Sequence, residues 1–217
     1  MLTSPTALFM LLTALGVAGA LASVRADMPR AYALSKTIAS LAFIGTALVA
    51  GAMDAVWSRV ALGALVFSAV GDVALTVRGK KGFLVGLMFF AVAHTVYAVA
   101  FILLGTDGIV LAMTASAMVL VAGRSWISLN HHVPEPMRVP VGVYVVIITM
   151  MMATGTAAGI THRAWLLALG VLLVAGSDIA VARQRFGKPM LANKFIGLPA
   201  YYAGQTLIAL SLAGPCA

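Results

Sequence analysis

The sequence contains very little charge and only one cysteine. Asp, Glu, Lys and Arg together make up 9% of the 217 residues, whereas soluble domains contain about 25%. Cys216 has no second cysteine with which to form an internal disulfide. The chain also lacks G-x-S-x-G, Walker and G-x-G-x-x-G motifs, which argues against serine-triad hydrolysis, nucleotide use and dinucleotide chemistry. The composition therefore does not predict a soluble domain.

Long apolar stretches account for most of the chain. Hydrophobic residues make up 62% of it, and the mean hydropathy is +1.06. Eight stretches of about 17–22 residues are each long enough for a hydrocarbon core of about 30 Å. They cover residues 6–24, 31–51, 60–77, 83–104, 108–127, 139–157, 164–182 and 195–213. They lack the alternation of barrel strands. We therefore predict an all-α fold, a polytopic membrane bundle of eight transmembrane helices in a single domain over 1–217.

The first stretch has the small residues near its end that a signal-peptide cleavage site needs. It has no positively charged segment before it, however, and its apolar run is longer than the core of a signal peptide. We therefore interpret residues 6–24 as the first membrane helix.

Basic residues are concentrated on alternate connections between the stretches. The formal net charge is +8, and the connections after the first, third, fifth and seventh stretches hold 12 of the 14 basic residues, counting one that lies just inside its helix. These are Arg25, Arg30, Lys36, Arg78, Lys80, Lys81, Arg124, Arg138, Arg183, Arg185, Lys188 and Lys194. The positive-inside rule places these connections in the cytoplasm and both termini outside. The charge thus indicates topology in a bacterial-type inner membrane, and contact with anionic lipids, rather than nucleic-acid binding.

Two aspartates, Asp72 and Asp178, lie inside the apolar stretches 60–77 and 164–182. A carboxylate in hydrocarbon costs roughly 2.5–3.5 kcal/mol on insertion scales, so it needs a partner or a function. Asp72 precedes Arg78 by about 9 Å along a helix, and Asp178 precedes Arg183 by about 7 Å. The two carboxylates are therefore candidate catalytic residues of one site in the cytoplasmic half of the bundle.

Further polar side chains are predicted in the same half or near the middle of the membrane. They are Lys36, His94, Tyr97, Tyr201, Tyr202 and Gln205. His94 and Tyr97 share one helix face with two phenylalanines, and Tyr201 and Gln205 are one turn apart. They could bind a substrate, or join helices by hydrogen bonds worth about 0.6 kcal/mol each. Lys36 could neutralise an aspartate, hold a lipid phosphate or extend to the interface.

The longest connection, 124–138, contains His131, His132 and Glu135. Adjacent histidines point apart, and no C-x-x-C or H-E-x-x-H pattern accompanies them. We therefore predict a flexible cytoplasmic loop and expect neither a metal nor another cofactor.

The two halves of the chain, 1–105 and 106–217, also resemble each other, as the products of an internal duplication would. The stretch 71–75 (GDVAL) matches 177–181 (SDIAV), which aligns Asp72 with Asp178 and brings in Ser177. Lys36 falls opposite Tyr144, and His94 opposite Gln205. Four helices per repeat would give both halves the same orientation, as a 4+4 parallel repeat. Chance similarity among Ala-, Gly- and Leu-rich helices is the alternative.

Four segments together resemble the YhhN family of membrane proteins. They are 71–76 (GDVALT), 89–101 (FFAVAHTVYAVAF), 177–182 (SDIAVA) and 201–208 (YYAGQTLI). Lys36 matches a lysine of the family near the start of its second helix. The family includes animal lysoplasmalogenases, which cleave the vinyl-ether bond of lysoplasmalogens to a fatty aldehyde and a glycerophospho-headgroup.

The resemblance implies a hydrolase that needs no cofactor. One aspartate would protonate the vinyl ether, and the other would stabilise the oxocarbenium ion and activate water. Lys36, His94, Tyr97, Tyr144, Ser177, Tyr201, Tyr202 and Gln205 would then bind a lysophospholipid substrate. Membrane lipids are the other expected partners, and no obligatory protein partner is evident. Intramembrane Asp, His and Lys also suit a proton-coupled transporter or lipid carrier, and an inactive membrane scaffold is a third interpretation.

Overall fold

The computed structural model describes residues 4–187 and 190–213 and contains eight α-helices in that part of the chain. They are α1 (Ser4–Arg25), α2 (Pro29–Ala50), α3 (Val56–Ala74), α4 (Lys80–Leu104), α5 (Gly108–Leu129), α6 (Glu135–Thr161), α7 (Trp165–Phe186) and α8 (Leu191–Ser211). No strand occurs among the described residues. The predicted all-α class is confirmed. Cys216 and Lys188 lie outside the described residues.

Seven of the eight helices, α1 to α7, are long and apolar enough to cross a membrane. The eighth predicted span corresponds to α8, which has 21 residues but is not among these seven. Its lower apolarity comes from polar side chains, three of which, Tyr201, Tyr202 and Gln205, are buried inside the bundle. The α8 helix therefore contributes polar groups to the interior of the bundle.

The predicted flexible loop between residues 124 and 138 is wrong. The α5 helix extends to Leu129, a 3-10 turn covers Asn130–His132, and α6 begins at Glu135. Val133, Met137 and Val141 are buried in a small apolar cluster with Trp126 and other partly buried side chains. Apolar burial in this cluster stabilises the segment. Pro136 is tolerated at the start of α6 because the first turn of a helix needs no backbone N–H donor.

The helices surround a central space. The pairs α1–α2, α3–α4 and α7–α8 pack as neighbours, α2 also contacts α3 and α8, and α6 contacts α4 and α7. The α5 helix packs mainly against α6 and borders the same space, and Thr114 is its one buried residue among those described. The fourth helix of each proposed half contacts the second helix of the other half. This pattern is consistent with the 4+4 repeat, which stays a prediction.

Glycines bring α7 and α8 close together beside the site. A Cβ atom on Gly170 would lie 2.8 Å from the Gly204 carbonyl oxygen, and one on Gly204 would lie 2.7 Å from that of Gly170. Small residues are typical of helix contacts in membranes, because they let the backbones approach each other. This contact fixes α8, with its tyrosines, against the helix that carries Asp178.

Candidate functional site

Asp72 and Asp178 line the same central cavity, whose volume is about 800 Å³. Both lie in the half of the bundle that ends in the basic connections. The wall near that end contains Arg183, Arg185 and Lys194. A second part of the wall is apolar and comes from α5 and α6, with Val121, Val145, Ile148 and Met152. The cavity therefore has a cationic mouth, carboxylates in its wall and an apolar surface on the side of α5 and α6.

Both carboxylate oxygens of Asp72 have donor partners. It is 1% exposed, and its Oδ1 lies 3.0 Å from Nζ of Lys36, which is itself 5% exposed. Oδ2 accepts hydrogen bonds from the Ser40 hydroxyl at 2.7 Å and the Tyr201 hydroxyl at 2.9 Å. Tyr202 supports this arrangement by donating to the Lys36 carbonyl at 3.2 Å. Lys36 is therefore paired with an aspartate, and it does not extend to the membrane interface.

Only one carboxylate oxygen of Asp178, Oδ2, has partners among the described residues. Its Oδ2 accepts a hydrogen bond from the Tyr144 hydroxyl at 2.6 Å and lies 3.1 Å from Nε2 of His94. The same His94 nitrogen is 2.9 Å from the Tyr144 oxygen. Asp178 lines the cavity with 17% of its side chain exposed, and its Oδ1 has no hydrogen-bond partner among the described residues. One carboxylate oxygen is thus available to a molecule in the cavity.

The other ring nitrogen of His94, Nδ1, is buried without a hydrogen-bond partner in the described part of the chain. An unsatisfied buried N–H donor costs about 1–3 kcal/mol. The geometry therefore favours the tautomer with its proton on Nε2, between Asp178 and Tyr144. In that form His94 orients the carboxylate.

The two aspartate clusters are built alike. Each carboxylate belongs to the third helix of one proposed half. One partner comes from the second helix of the same half, Lys36 for Asp72 and Tyr144 for Asp178. Another comes from the fourth helix of the other half, Tyr201 and His94 respectively. The alignment of Lys36 with Tyr144 has a structural counterpart here, but the chemistry differs, because one aspartate has a cationic partner and the other has not.

The candidate residues other than the two aspartates fall into two groups, those that line the cavity and those that do not. Lys36, Tyr144, Ser177 and Tyr201 line it, whereas His94, Tyr97, Tyr202 and Gln205 are buried outside its wall. The Tyr97 hydroxyl donates to Oε1 of Gln205 at 2.6 Å and so joins α4 to α8. These last four residues can position other groups but do not reach the cavity in this structure. Their predicted substrate contacts stay predictions.

Ser40 is a site residue that the sequence analysis missed. It follows Lys36 by four residues, so both side chains lie on one face of α2 and both reach Asp72. That spacing was the available signal.

No three His, Cys, Asp or Glu side chains lie close enough together to hold a metal ion within residues 4–187 and 190–213. His131 and His132 belong to the 3-10 turn, and Glu135 begins α6. His132 alone of these three lines the cavity.

Comparisons with known proteins find a matching family model and several similar proteins. The YhhN family model matches residues 31–212. Lysoplasmalogenase TMEM86A of Bos taurus is 37% identical over 153 residues, which cover 68% of this chain and 62% of that protein. The Homo sapiens TMEM86A is 35% identical over the same shares. Lysoplasmalogenase TMEM86B of Sus scrofa is 31% identical over 70% of this chain and 62% of its own length. The chain thus matches less than two thirds of the length of these relatives. No solved structure matches it.

Proposed function

This chain belongs to the YhhN family, and from that membership we propose that it is a membrane-embedded hydrolase of lysoplasmalogens. It cleaves the vinyl-ether bond to release a fatty aldehyde and a glycerophospho-headgroup. The observation that carries the proposal is Asp178, whose Oδ2 is held by Tyr144 and His94 while its other oxygen is open to the cavity. The names of the relatives, which are lysoplasmalogenases, support the same reaction.

Asp178 acts as the general acid in this proposal. Its carboxyl proton moves to the β-carbon of the vinyl ether, and the electrons of the double bond form the new C–H bond. The resulting oxocarbenium ion is attacked at its α-carbon by water, which returns a proton to the Asp178 carboxylate. The hemiacetal then breaks its C–O bond to the glycerol. Its hydroxyl loses a proton to become the aldehyde carbonyl, and the leaving glycerol oxygen takes up a proton to become a free hydroxyl. One water is consumed, and no cofactor takes part.

Asp72 is a positioning residue in the same proposal. Both of its oxygens already accept bonds from Lys36, Ser40 and Tyr201, so neither is free to deliver a proton to a substrate. Its ion pair with Lys36 places a negative and a positive charge together in the cavity wall. The cluster fixes α2, α3 and α8 around the substrate.

A single-chain phospholipid fits the distribution of polar groups along the cavity. Asp178 precedes Arg183 by five residues, about 7 Å along α7. The phosphate of a lysophospholipid is separated from the sn-1 oxygen by the three glycerol carbons, a comparable length. With the vinyl ether at Asp178, the phosphate lies near Arg183 and Lys194, neither of which forms an ion pair with a described carboxylate. The hydrocarbon chain then lies against the apolar wall formed by α5 and α6.

This placement predicts that Lys194→Gln raises the KM for a lysoplasmalogen about fivefold and leaves kcat within twofold. Such a change corresponds to about 1 kcal/mol, which is reasonable for a phosphate contact at an open mouth where salt screens the charge. Lys81→Gln is the matched control, because Lys81 lies in the first turn of α4 at the same end and does not line the cavity. Equal KM values for the two variants would show that Lys194 does not recognise the headgroup.

We also propose an orientation for the bundle. The helices alternate in direction, so the connections rich in basic residues lie at the end where the cavity opens. The positive-inside rule places that end in the cytoplasm of a bacterial-type inner membrane, with both termini outside. The site then receives lipids from the cytoplasmic leaflet.

Cysteine labelling tests this orientation. In a Cys216→Ser background, cysteines replace Lys80 at the basic end and Thr106 at the opposite end. We expect a membrane-impermeant maleimide applied to intact spheroplasts to label position 106 and to label position 80 only after lysis. The reverse pattern would invert the orientation.

The activity itself is tested with purified protein and two substrates that differ in one bond. We expect fatty aldehyde from a 1-alkenyl lysophospholipid and none from the matched 1-alkyl lysophospholipid, because the saturated ether has no double bond to protonate. If neither lipid is cleaved, the proposed activity is wrong, and the carrier alternative is then examined by lipid or proton flux.

A further inference from the structure

A shallow apolar groove lies on the outside of the bundle between α4 and α6. Its volume is about 240 Å³. Its lining consists of Leu84, Leu87, Met88, Ala91, Pro140, Val143 and Tyr144. Two of these residues, Leu87 and Tyr144, also line the central cavity. The groove and the cavity therefore share a partition formed by two side chains.

The groove is positioned to meet lipid at the depth of a glycerol backbone. Both α4 and α6 are long and apolar enough to span a membrane, and Met88 and Val143 are 56% and 54% exposed. Leu84 follows Lys80 by about 6 Å along α4, and Ala91 follows it by about 16 Å. The first carbons of a lipid chain lie at this depth, below the headgroup. The α5 helix, which packs against α6, contributes no lining residue to the groove.

We propose that this groove is a lateral portal for the hydrocarbon chain of a single-chain phospholipid, closed by Leu87 and Tyr144. The portal serves the hydrolase proposed above and rests on that function. A chain that entered through the mouth beside Arg183 and Lys194 would have to leave hydrocarbon for water, at a cost in free energy for every methylene. Passage between α4 and α6 keeps the chain in an apolar environment while the headgroup stays at the interface.

Tyr144 connects the portal to the site. Its hydroxyl donates to Oδ2 of Asp178, so the ring that closes the groove is anchored by the proposed acid. Displacement of the ring by an incoming chain would open the partition and release that oxygen. Pro140 lies one turn before Tyr144 and has no backbone N–H, so α6 lacks one helical hydrogen bond beside the gate. Local movement of α6 is correspondingly easier there.

The test fills the groove without changing the site. Ala91→Phe places a ring among the groove residues, and Ala91 does not line the cavity. Val99→Phe is the matched control, because Val99 is on the same helix, is exposed to lipid and lines neither space. Ala91→Leu is a second, smaller filling variant in case the phenylalanine prevents folding.

Binding is followed by the fluorescence of Trp126, which lines the cavity, in a Trp57→Phe, Trp165→Phe background. The probe is a 1-alkyl lysophospholipid with a brominated chain, present at low mole fraction in bilayers. It quenches Trp126 on entering the cavity, and its ether bond is not a substrate. The measurement therefore tests the portal even if the protein releases no aldehyde. Failure of the portal proposal and failure of the proposed hydrolase activity are thus distinguishable.

We expect Ala91→Phe to slow both association and dissociation at least tenfold and to leave Kd within twofold, because a portal limits both directions of passage equally. Ala91→Leu should show a smaller change of the same kind, and Val99→Phe should match the parent protein. Unchanged rates in Ala91→Phe would place entry at the basic mouth and overturn the proposal. A slower association with unchanged dissociation would make the groove part of the binding site, which also contradicts a portal. Absence of quenching in the parent protein would contradict entry of the chain altogether.

Discussion

Asp178→Asn lowers the rate of lysoplasmalogen hydrolysis by about a thousandfold or more while the protein stays folded in the membrane. Asparagine has nearly the shape of aspartate and can still accept the hydrogen bond from Tyr144, but it cannot donate a carboxylic proton. General acid catalysis typically contributes about 10²–10⁴ to a rate. The loss should appear in kcat, because the Tyr144 and His94 contacts that shape the cavity wall are retained.

Aldehyde release by purified protein, with thermal unfolding measured in parallel, checks this result. Asp107→Asn is the control, because Asp107 caps the first turn of α5 at the opposite end of the bundle, where asparagine serves equally well. A rate for Asp178→Asn within tenfold of the parent rate would contradict the assignment of Asp178 as the acid.

Lys36→Met destabilises the protein by about 3–5 kcal/mol. Removal of one partner of a buried ion pair leaves the other charge uncompensated, and this is among the most destabilising changes in protein interiors. Asp72 is 1% exposed, so its carboxylate is poorly solvated once the ammonium group is removed. Denaturant titration of the protein in a mild detergent measures the change in the free energy of unfolding. Lys194→Met, at the open mouth of the cavity, should change stability by no more than about 0.5 kcal/mol.

The double variant Lys36→Met, Asp72→Asn separates the ion pair from the reaction. We expect it to recover most of the stability, because no unpaired charge is left, and to hydrolyse substrate within about tenfold of the parent rate. If Asp72 were the proton donor, the double variant would regain stability without activity. If Lys36→Met alone were as stable as the parent protein, the pair would not be a stabilising contact.

Fold class followed from the sequence because membrane helices are specified by composition and length. An apolar stretch of about 20 residues has few stable alternatives in a bilayer. The reliance on composition also explains the wrong prediction for residues 124–138. The polar residues of this segment obscured the spacing of Val133, Met137 and Val141, which are buried together. The α8 helix shows a related limit. Its buried tyrosines and glutamine reduce its apolarity, although they face the interior.

The site was only partly predictable. The rarity of intramembrane carboxylates singled out Asp72 and Asp178, and both line one cavity. Whether Lys36 pairs with an aspartate depends on the rotation of α2 relative to α3, which sequence spacing does not determine. The same applies to His94, whose contact with Asp178 joins α4 to α7. The sequence could not show that the Asp72 carboxylate is saturated with donors while the Asp178 carboxylate is open. The neighbours of each carboxylate come from segments that are distant in the sequence.

Hydrolysis in D₂O tests whether a carboxyl proton is transferred to the vinyl-ether carbon in this cavity. Purified protein is incubated with a 1-alkenyl lysophospholipid in D₂O, and the aldehyde is reduced at once and analysed by mass spectrometry. We expect one deuterium on carbon 2 of the former aldehyde, because the solvent-exchanged acid adds a single deuteron there. We also expect slower release in D₂O than in H₂O. Aldehyde without deuterium at carbon 2, or no aldehyde from the parent protein, would contradict proton transfer from a carboxyl group to this carbon.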